Sequence, residues 1–101
     1  MPRFRQTIPV DDYVLDVLMR DIVGHDQKPA AYLVYLYLYG LAVRQKWKLV
    51  TASLRELSEA TGLSKSAVQT ALELLRRREL VHTVSNHPTA VPQHRVLRPW
   101  R

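Results

Sequence analysis

Residues 53–84 have the sequence SLRELSEATGLSKSAVQTALELLRRRELVHTV, and this stretch decides the fold. Ser53 and Glu56 have the spacing of a capping box, in which the serine hydroxyl accepts from the glutamate amide and the carboxylate accepts from the serine amide. A short helix is therefore predicted over residues 54–60. Gly62 follows it, and glycine readily takes the left-handed conformation that a tight reversal between two helices needs.

A second helix is predicted over residues 65–78, with Ser64 as its N-terminal cap. Val68, Leu72 and Leu75 recur at helical spacing and predict its buried stripe. The opposite face begins with polar side chains of mixed length, namely Lys65, Ser66, Gln69 and Thr70. Glutamine can make two hydrogen bonds to adenine, lysine can reach guanine, and serine and threonine adapt to either. This face has the chemistry needed to recognise base edges in a DNA major groove.

The residues after this helix predict a β-hairpin over about residues 80–98. Residues 80–84 alternate between apolar and polar side chains, as a half-buried strand does. Residues 85–93 are polar and include Pro88 and Pro92, so they predict a loop, and residues 94–98 predict the returning strand. Upstream, the residues WKLVT at 47–51 predict another short strand.

Two more helices are predicted before this segment, over residues 10–23 and 30–46. Asp11 or Asp12 is expected to cap the first helix, and Gly24 to end it. Residues 1–9 show no periodicity and predict a flexible arm. We therefore expect one domain over residues 10–101, mostly α-helical with a small β-hairpin.

The helix over residues 30–46 is apolar on every side and so needs cover on every side. One of its stripes consists of Tyr32, Tyr35 and Tyr39. Tyrosine is frequent at interfaces, because its ring is apolar while its hydroxyl can stay in water. We predict a homodimer formed through the first two helices around these tyrosines. The alternative is that the first helix and the hairpin cover this helix within one chain.

The order helix, helix, short strand, capped helix, tight turn, helix, hairpin resembles the winged helix-turn-helix superfamily. That superfamily includes MarR-, GntR- and Lrp-like regulators and the DNA-binding domains of some phage and plasmid replication proteins. The resemblance is carried by residues 53–84 and extends over about residues 28–98. It implies a winged helix-turn-helix fold that binds double-stranded DNA sequence-specifically, with the helix starting at Lys65 in the major groove. We expect a transcription regulator. The alternatives are a DNA-binding module for phage or plasmid replication or maintenance, and a winged helix used for RNA or protein contacts.

The resemblance also implies a set of contacts by position. Base or phosphate contacts fall on Lys65, Ser66, Gln69 and Thr70, and phosphate contacts on Ser53, Ser64, Arg76 and Arg77. The loop of the hairpin is expected to touch the adjacent backbone or minor groove, through His87, Thr89 and Arg95. Its tip departs from the family in lacking Arg or Lys. It offers His87, Thr89 and His94 instead, and histidine titrates near physiological pH.

The composition favours a nucleic-acid partner over catalysis. The net charge is +6, and residues 53–101 hold eight Lys and Arg against four Glu, a basic excess that attracts polyanions. The chain has no cysteine, no Gly-rich phosphate loop and no HExxH motif, and His82, His87 and His94 are too loosely spaced for a metal site. No signal peptide is visible, and the apolar run of residues 30–43 is shorter than the about 20 residues of a membrane span. We therefore expect a cytoplasmic DNA-binding protein without enzyme activity, cofactor or metal.

Overall fold

Four helices and three strands make up the part of the chain that the structure, a computed structural model, describes, namely residues 6–85 and 90–101. The helices are α1 (Val14–His25), α2 (Pro29–Arg44), α3 (Leu54–Thr61) and α4 (Lys65–Arg77), and the strands are β1 (Val50–Thr51), β2 (Val81–Val84) and β3 (Gln93–Val96). The predicted class, mostly α-helical with a small β component, is confirmed, as is the predicted order of the elements.

The strands form one antiparallel sheet in the order β1-β3-β2. In the hairpin, Val81 lies opposite Val96 and Val84 lies opposite Gln93. Val50 of β1 pairs with His94 on the other edge of β3. Because only two residues separate β1 from α3, this pairing brings the start of α3 next to the hairpin.

α2 lies at the centre of the fold, where α1, α3, α4 and β3 all pack against it. Its tyrosines Tyr32, Tyr35 and Tyr39 are buried, with exposures of 5%, 0% and 1%. The Tyr32 hydroxyl donates to the carbonyl of Val14 at 2.9 Å, and the Tyr35 hydroxyl donates to the carbonyl of Leu97 at 2.8 Å. The Tyr39 hydroxyl accepts from the amide of Asp11 at 3.1 Å. The prediction that these tyrosines face a second chain is therefore wrong, because all three are buried and bonded to backbone groups within one chain.

α1 has the hydrogen-bond pattern of a π-helix. The amide of Asp26, just after its last turn, donates to the carbonyl of Asp21, five residues earlier, at 2.9 Å. The helix begins and ends later than the predicted residues 10–23, so Gly24 lies inside it instead of ending it. Its inner side buries three apolar residues against the core, Val14, Leu18 and Ile22.

The predicted cap of α1 by Asp11 or Asp12 is not formed. The Asp11 carboxylate accepts instead from the guanidinium of Arg101 at 2.8 and 2.9 Å and from the indole nitrogen of Trp100 at 2.8 Å. These hydrogen bonds, that from Arg101 above all, hold the pKa of Asp11 well below its usual value. Trp100 also stacks on Tyr13, with 4.7 Å between the ring centroids. Residues 100–101 are thus fastened to the start of α1.

The predicted N-terminal arm is described only from residue 6 onward, and residues 1–5 lie outside the described residues. Within its described part, Ile8 is half-buried and lies beside Gly40 of α2. None of the helices in the described ranges is long and apolar enough to cross a bilayer.

Candidate nucleic-acid interface

The connection between α3 and α4 is a tight turn with defined caps at both helices. The predicted capping box is present: the Ser53 hydroxyl accepts from the amide of Glu56 at 3.0 Å, and the Glu56 carboxylate accepts from the amide of Ser53 at 3.0 Å. Gly62 has a φ of 79°, in the left-handed region, and its amide donates to the carbonyl of Ser58 at 2.9 Å. Glycine takes this conformation without the steric cost that a side chain would add.

Two hydroxyl groups hold the turn on its inner side. The Ser58 hydroxyl donates to the carbonyl of Leu63 at 2.5 Å. The Thr61 hydroxyl donates to the carbonyl of Leu57 at 2.6 Å and accepts from the amide of Leu63 at 3.3 Å. Neither contact was predicted, although serine and threonine near a helix end commonly bond backbone groups in this way. Together they fix the direction in which α4 leaves the turn.

The inner side of α4 is buried as predicted. Val68, Ala71, Leu72 and Leu75 have exposures of 4% or less and belong to the main core. Because this stripe is fixed against the core, the opposite side of the helix is held toward solvent.

The exposed side of the first two turns of α4, which we term the reading face, consists of Lys65, Ser66, Gln69 and Thr70. All four residues are exposed, and none of their side chains makes a hydrogen bond or an ion pair within residues 6–85 and 90–101. The face therefore offers one ammonium, two hydroxyls and one carboxamide, all free to bind a ligand. It also lies at the positive end of the helix dipole, which favours anions.

Ser53 and Ser64 both have capping roles that leave their own protons available. The Ser64 hydroxyl accepts from the amide of Ala67 at 3.0 Å, as the Ser53 hydroxyl does from Glu56. A hydroxyl that accepts one bond can still donate another. Each serine can therefore cap its helix and donate to a phosphate oxygen at the same time.

The three consecutive arginines at the end of α4 have different surroundings. Arg77 is exposed and makes no ion pair in the described part of the chain, while Arg76 donates to the Thr83 hydroxyl of β2 at 3.1 Å. Arg78 is turned the other way, toward the end of α1: it binds the carboxylate of Asp26 through two nitrogens, at 2.6 and 3.0 Å, and Asp21 at 3.0 Å. Its hydrogen bonds lower the pKa of Asp26. Arg76 and Arg77 can thus reach an external anion, whereas Arg78 ties α4 to α1.

His94 lies in the returning strand β3, as predicted, but it is only 1% exposed. The expectation that the hairpin tip offers its side chain to a partner is therefore wrong. Its Nε2 is 3.2 Å from the carbonyl of Ala52, and its Nδ1 is 3.0 Å from the Thr83 hydroxyl. A carbonyl can only accept, so Nε2 carries a proton. In the neutral imidazole Nδ1 then accepts from the Thr83 hydroxyl, whose oxygen in turn accepts from Arg76. Burial lowers the pKa of His94 and so favours this neutral form. A chain of three hydrogen bonds thus joins Arg76 of α4 to the residue before the Ser53 cap.

Of the residues predicted to contact DNA from the hairpin, only Arg95 lies within the described part of the chain. It is exposed on β3, opposite His82, which is also exposed. His87 and Thr89 lie outside the described residues. No group of three or more His, Asp or Glu side chains positioned to hold a metal ion is found over residues 6–85 and 90–101.

Comparison with known proteins adds one match. A family model described as "Helix-turn-helix domain" matches residues 28–81, which is more than half of the chain and runs from the start of α2 to the first residue of β2. The matched segment contains the turn at Gly62 and the whole reading face. Neither the curated proteins nor the solved structures gave a match.

Proposed function

Because the chain belongs to the helix-turn-helix domain family, we propose that it binds double-stranded DNA sequence-specifically, with α4 in the major groove. The observation that carries the proposal is the reading face, whose four polar side chains are exposed and without partners among the described residues. A binding surface of this kind works best when its side chains stand on a rigid element. The capped and hydroxyl-braced turn before α4 supplies that rigidity.

The reading face recognises the bases, and the groups around it position α4 on the DNA. Gln69 can make two hydrogen bonds to an adenine, and Lys65 can reach the acceptors of a guanine. Phosphate contacts come from the hydroxyls of Ser53 and Ser64 and from Arg77, which place the helix in register without reading sequence. The net charge of +6 supports the same partner, since cations near phosphates release condensed counterions.

The biological role that we propose is transcription regulation by occupancy of a DNA site, by a homodimeric cytoplasmic protein. The protein would act by binding and not by catalysis. A pseudo-palindromic site would follow from a symmetric dimer, with half-site centres about one helical turn, or a multiple of it, apart.

Selection of bound fragments from random duplex DNA tests the proposal, followed by competition between the selected duplex, single strands and structured RNA. We expect an enriched motif and a preference for the duplex. Replacing Gln69 with Ala should reduce discrimination at one base pair by about 1–3 kcal/mol. Gln45→Ala is the matched control, because Gln45 is also exposed but stands at the far end of α2. Equal affinity for all three nucleic acids, or unchanged discrimination in Gln69→Ala, would contradict the proposal.

A further inference from the structure

The outer side of α1 exposes a stripe of apolar side chains. Leu15, Met19 and Val23 follow one another at intervals of four residues and have exposures of 49%, 42% and 37%. Large apolar side chains at helical spacing on an exposed side are more than the scattered apolar residues of an ordinary surface. A contiguous exposed apolar stripe is typical of a surface that packs against a partner.

Two opposite charges stand on the same side of the helix. Asp16 and Arg20 line one shallow depression of about 520 Å³ together with the three apolar residues and Gly24. The Asp16 carboxylate has no partner in the described ranges, and the Arg20 guanidinium donates only to the backbone carbonyl of Asp16, at 3.2 Å. The side chains of Leu15, Asp16, Met19, Arg20 and Val23 together form what we term the outer face of α1.

We propose that the outer face is covered by a second copy of this chain, with the two α1 helices antiparallel about a two-fold axis near residues 18–19. A two-fold interface must be complementary to itself. In this pairing Met19 lies against the partner's Met19, Leu15 lies against the partner's Val23, and Arg20 meets the partner's Asp16. The apolar stripe and the charge pair have nearly the same midpoint along the helix, which is what self-complementarity requires. The inference rests on the homodimer of the proposed function, and it places the interface on α1 instead of on the buried tyrosines predicted from the sequence.

The outer face is connected to the DNA-binding helix through Arg78. This residue, which follows α4, binds Asp21 inside α1 and Asp26 just after it. The position of α4 is therefore fixed relative to α1, and two α1 helices that pack together fix the separation of the two reading faces. The contact area is that of one helix face, which is smaller than the about 800 Å² per partner of a standard interface. Self-association in solution should accordingly be weak, and two adjacent half-sites on DNA should strengthen it.

A charge-reversal experiment tests the pairing. Asp16→Arg leaves two cations on the outer face, and Arg20→Asp leaves two anions. Each variant alone should dimerise at least about tenfold more weakly than the wild type, since like charges then face each other across the axis. An equimolar mixture should form a heterodimer, because every cation then meets an anion. Sedimentation velocity from micromolar to sub-millimolar concentration measures all three samples.

Leu33→Glu is the matched control, because Leu33 is 45% exposed and apolar but lies on α2, outside the outer face. It should leave the dimer unchanged, whereas Met19→Glu should abolish it. A wild-type protein that stays monomeric throughout, variants that fail to pair when mixed, or a dimer broken by Leu33→Glu would overturn the inference.

A gel-shift assay on a single half-site separates this inference from the proposed function. Met19→Glu should bind one half-site as the wild type does and lose cooperative binding to two half-sites. If the wild type binds one half-site but does not dimerise, only the dimer inference is refuted. If the wild type does not bind a half-site, the DNA-binding proposal itself is refuted.

Discussion

Arg78 joins α4 to α1, and its removal should weaken the whole fold. Its guanidinium makes three charge-assisted hydrogen bonds, two of them to one carboxylate. Its side chain is 28% exposed and that of Asp26 is 15% exposed. Exposed ion pairs contribute about 0–1 kcal/mol, and breaking a buried pair costs about 3–5 kcal/mol. For this half-buried group we expect Arg78→Ala to lower the free energy of unfolding by about 2 kcal/mol, or the Tm by about 10 °C.

Urea unfolding followed by circular dichroism measures the effect, with Arg77→Ala as the control. Arg77 is the exposed neighbour, so its replacement should change stability by less than about 0.5 kcal/mol. Asp26→Asn should not add fully to Arg78→Ala, and the shortfall should be about 1 kcal/mol. Because the pKa of Asp26 is lowered in the folded state, its contribution is complete above the ordinary carboxyl pKa and is lost as the pH falls through the folded value. A loss below about 0.5 kcal/mol for Arg78→Ala, or full additivity, would refute the reasoning.

Three further predictions concern single residues. Arg77→Ala should weaken binding to every DNA sequence by a similar factor and lower the slope of log affinity against log salt by about one; a sequence-dependent loss would assign Arg77 a base instead of a phosphate. Gly62→Ala should cost about 1–2 kcal/mol in urea unfolding, since its φ of 79° strains any side chain, and an unchanged midpoint would argue against the left-handed turn. Burial lowers the pKa of His94 in the folded chain. Below the ordinary histidine pKa of 6.5, the imidazole therefore binds a proton in the unfolded chain more readily than in the folded chain. Stability should then fall as the pH drops from that value toward the folded pKa, and His94→Gln should remove this part of the pH dependence in unfolding measured from pH 8 to about pH 5.

The helices that carry the reading face could be predicted because their signals are local. The capping box at Ser53, the glycine at position 62 and the stripe of Val68, Leu72 and Leu75 all lie within a few residues of what they determine. The exposed side of α4 could be predicted because it lies opposite the buried stripe. The predicted bounds of α3 and α4 accordingly differ from the observed ones by a single residue at one end.

The missed features depend on partners far away in the chain. Asp11 binds Arg101, 90 residues later, and therefore does not cap α1. Arg78 binds Asp26, 52 residues earlier, and the hydroxyl of Tyr35 bonds Leu97, 62 residues later. No local pattern shows such pairings.

The burial of His94 could have been predicted from the sequence. It stands two residues before Val96, and residues two apart on a strand share a face. That spacing places the imidazole beside a buried valine, as the structure does.

The buried His94 side chain links the base of the hairpin to Ala52, two residues before α3, and through Thr83 to Arg76 of α4. The hairpin is thus tied to the segment before α3 at Ala52, whose amide also donates to the carbonyl of Pro92 at 3.2 Å, and to α4 at Thr83. Exposed side chains on the strands of the hairpin, such as Arg95, can therefore be replaced while α4 keeps its placement. Such strand positions allow additional cationic contacts to be introduced beside α4 without redesigning base recognition.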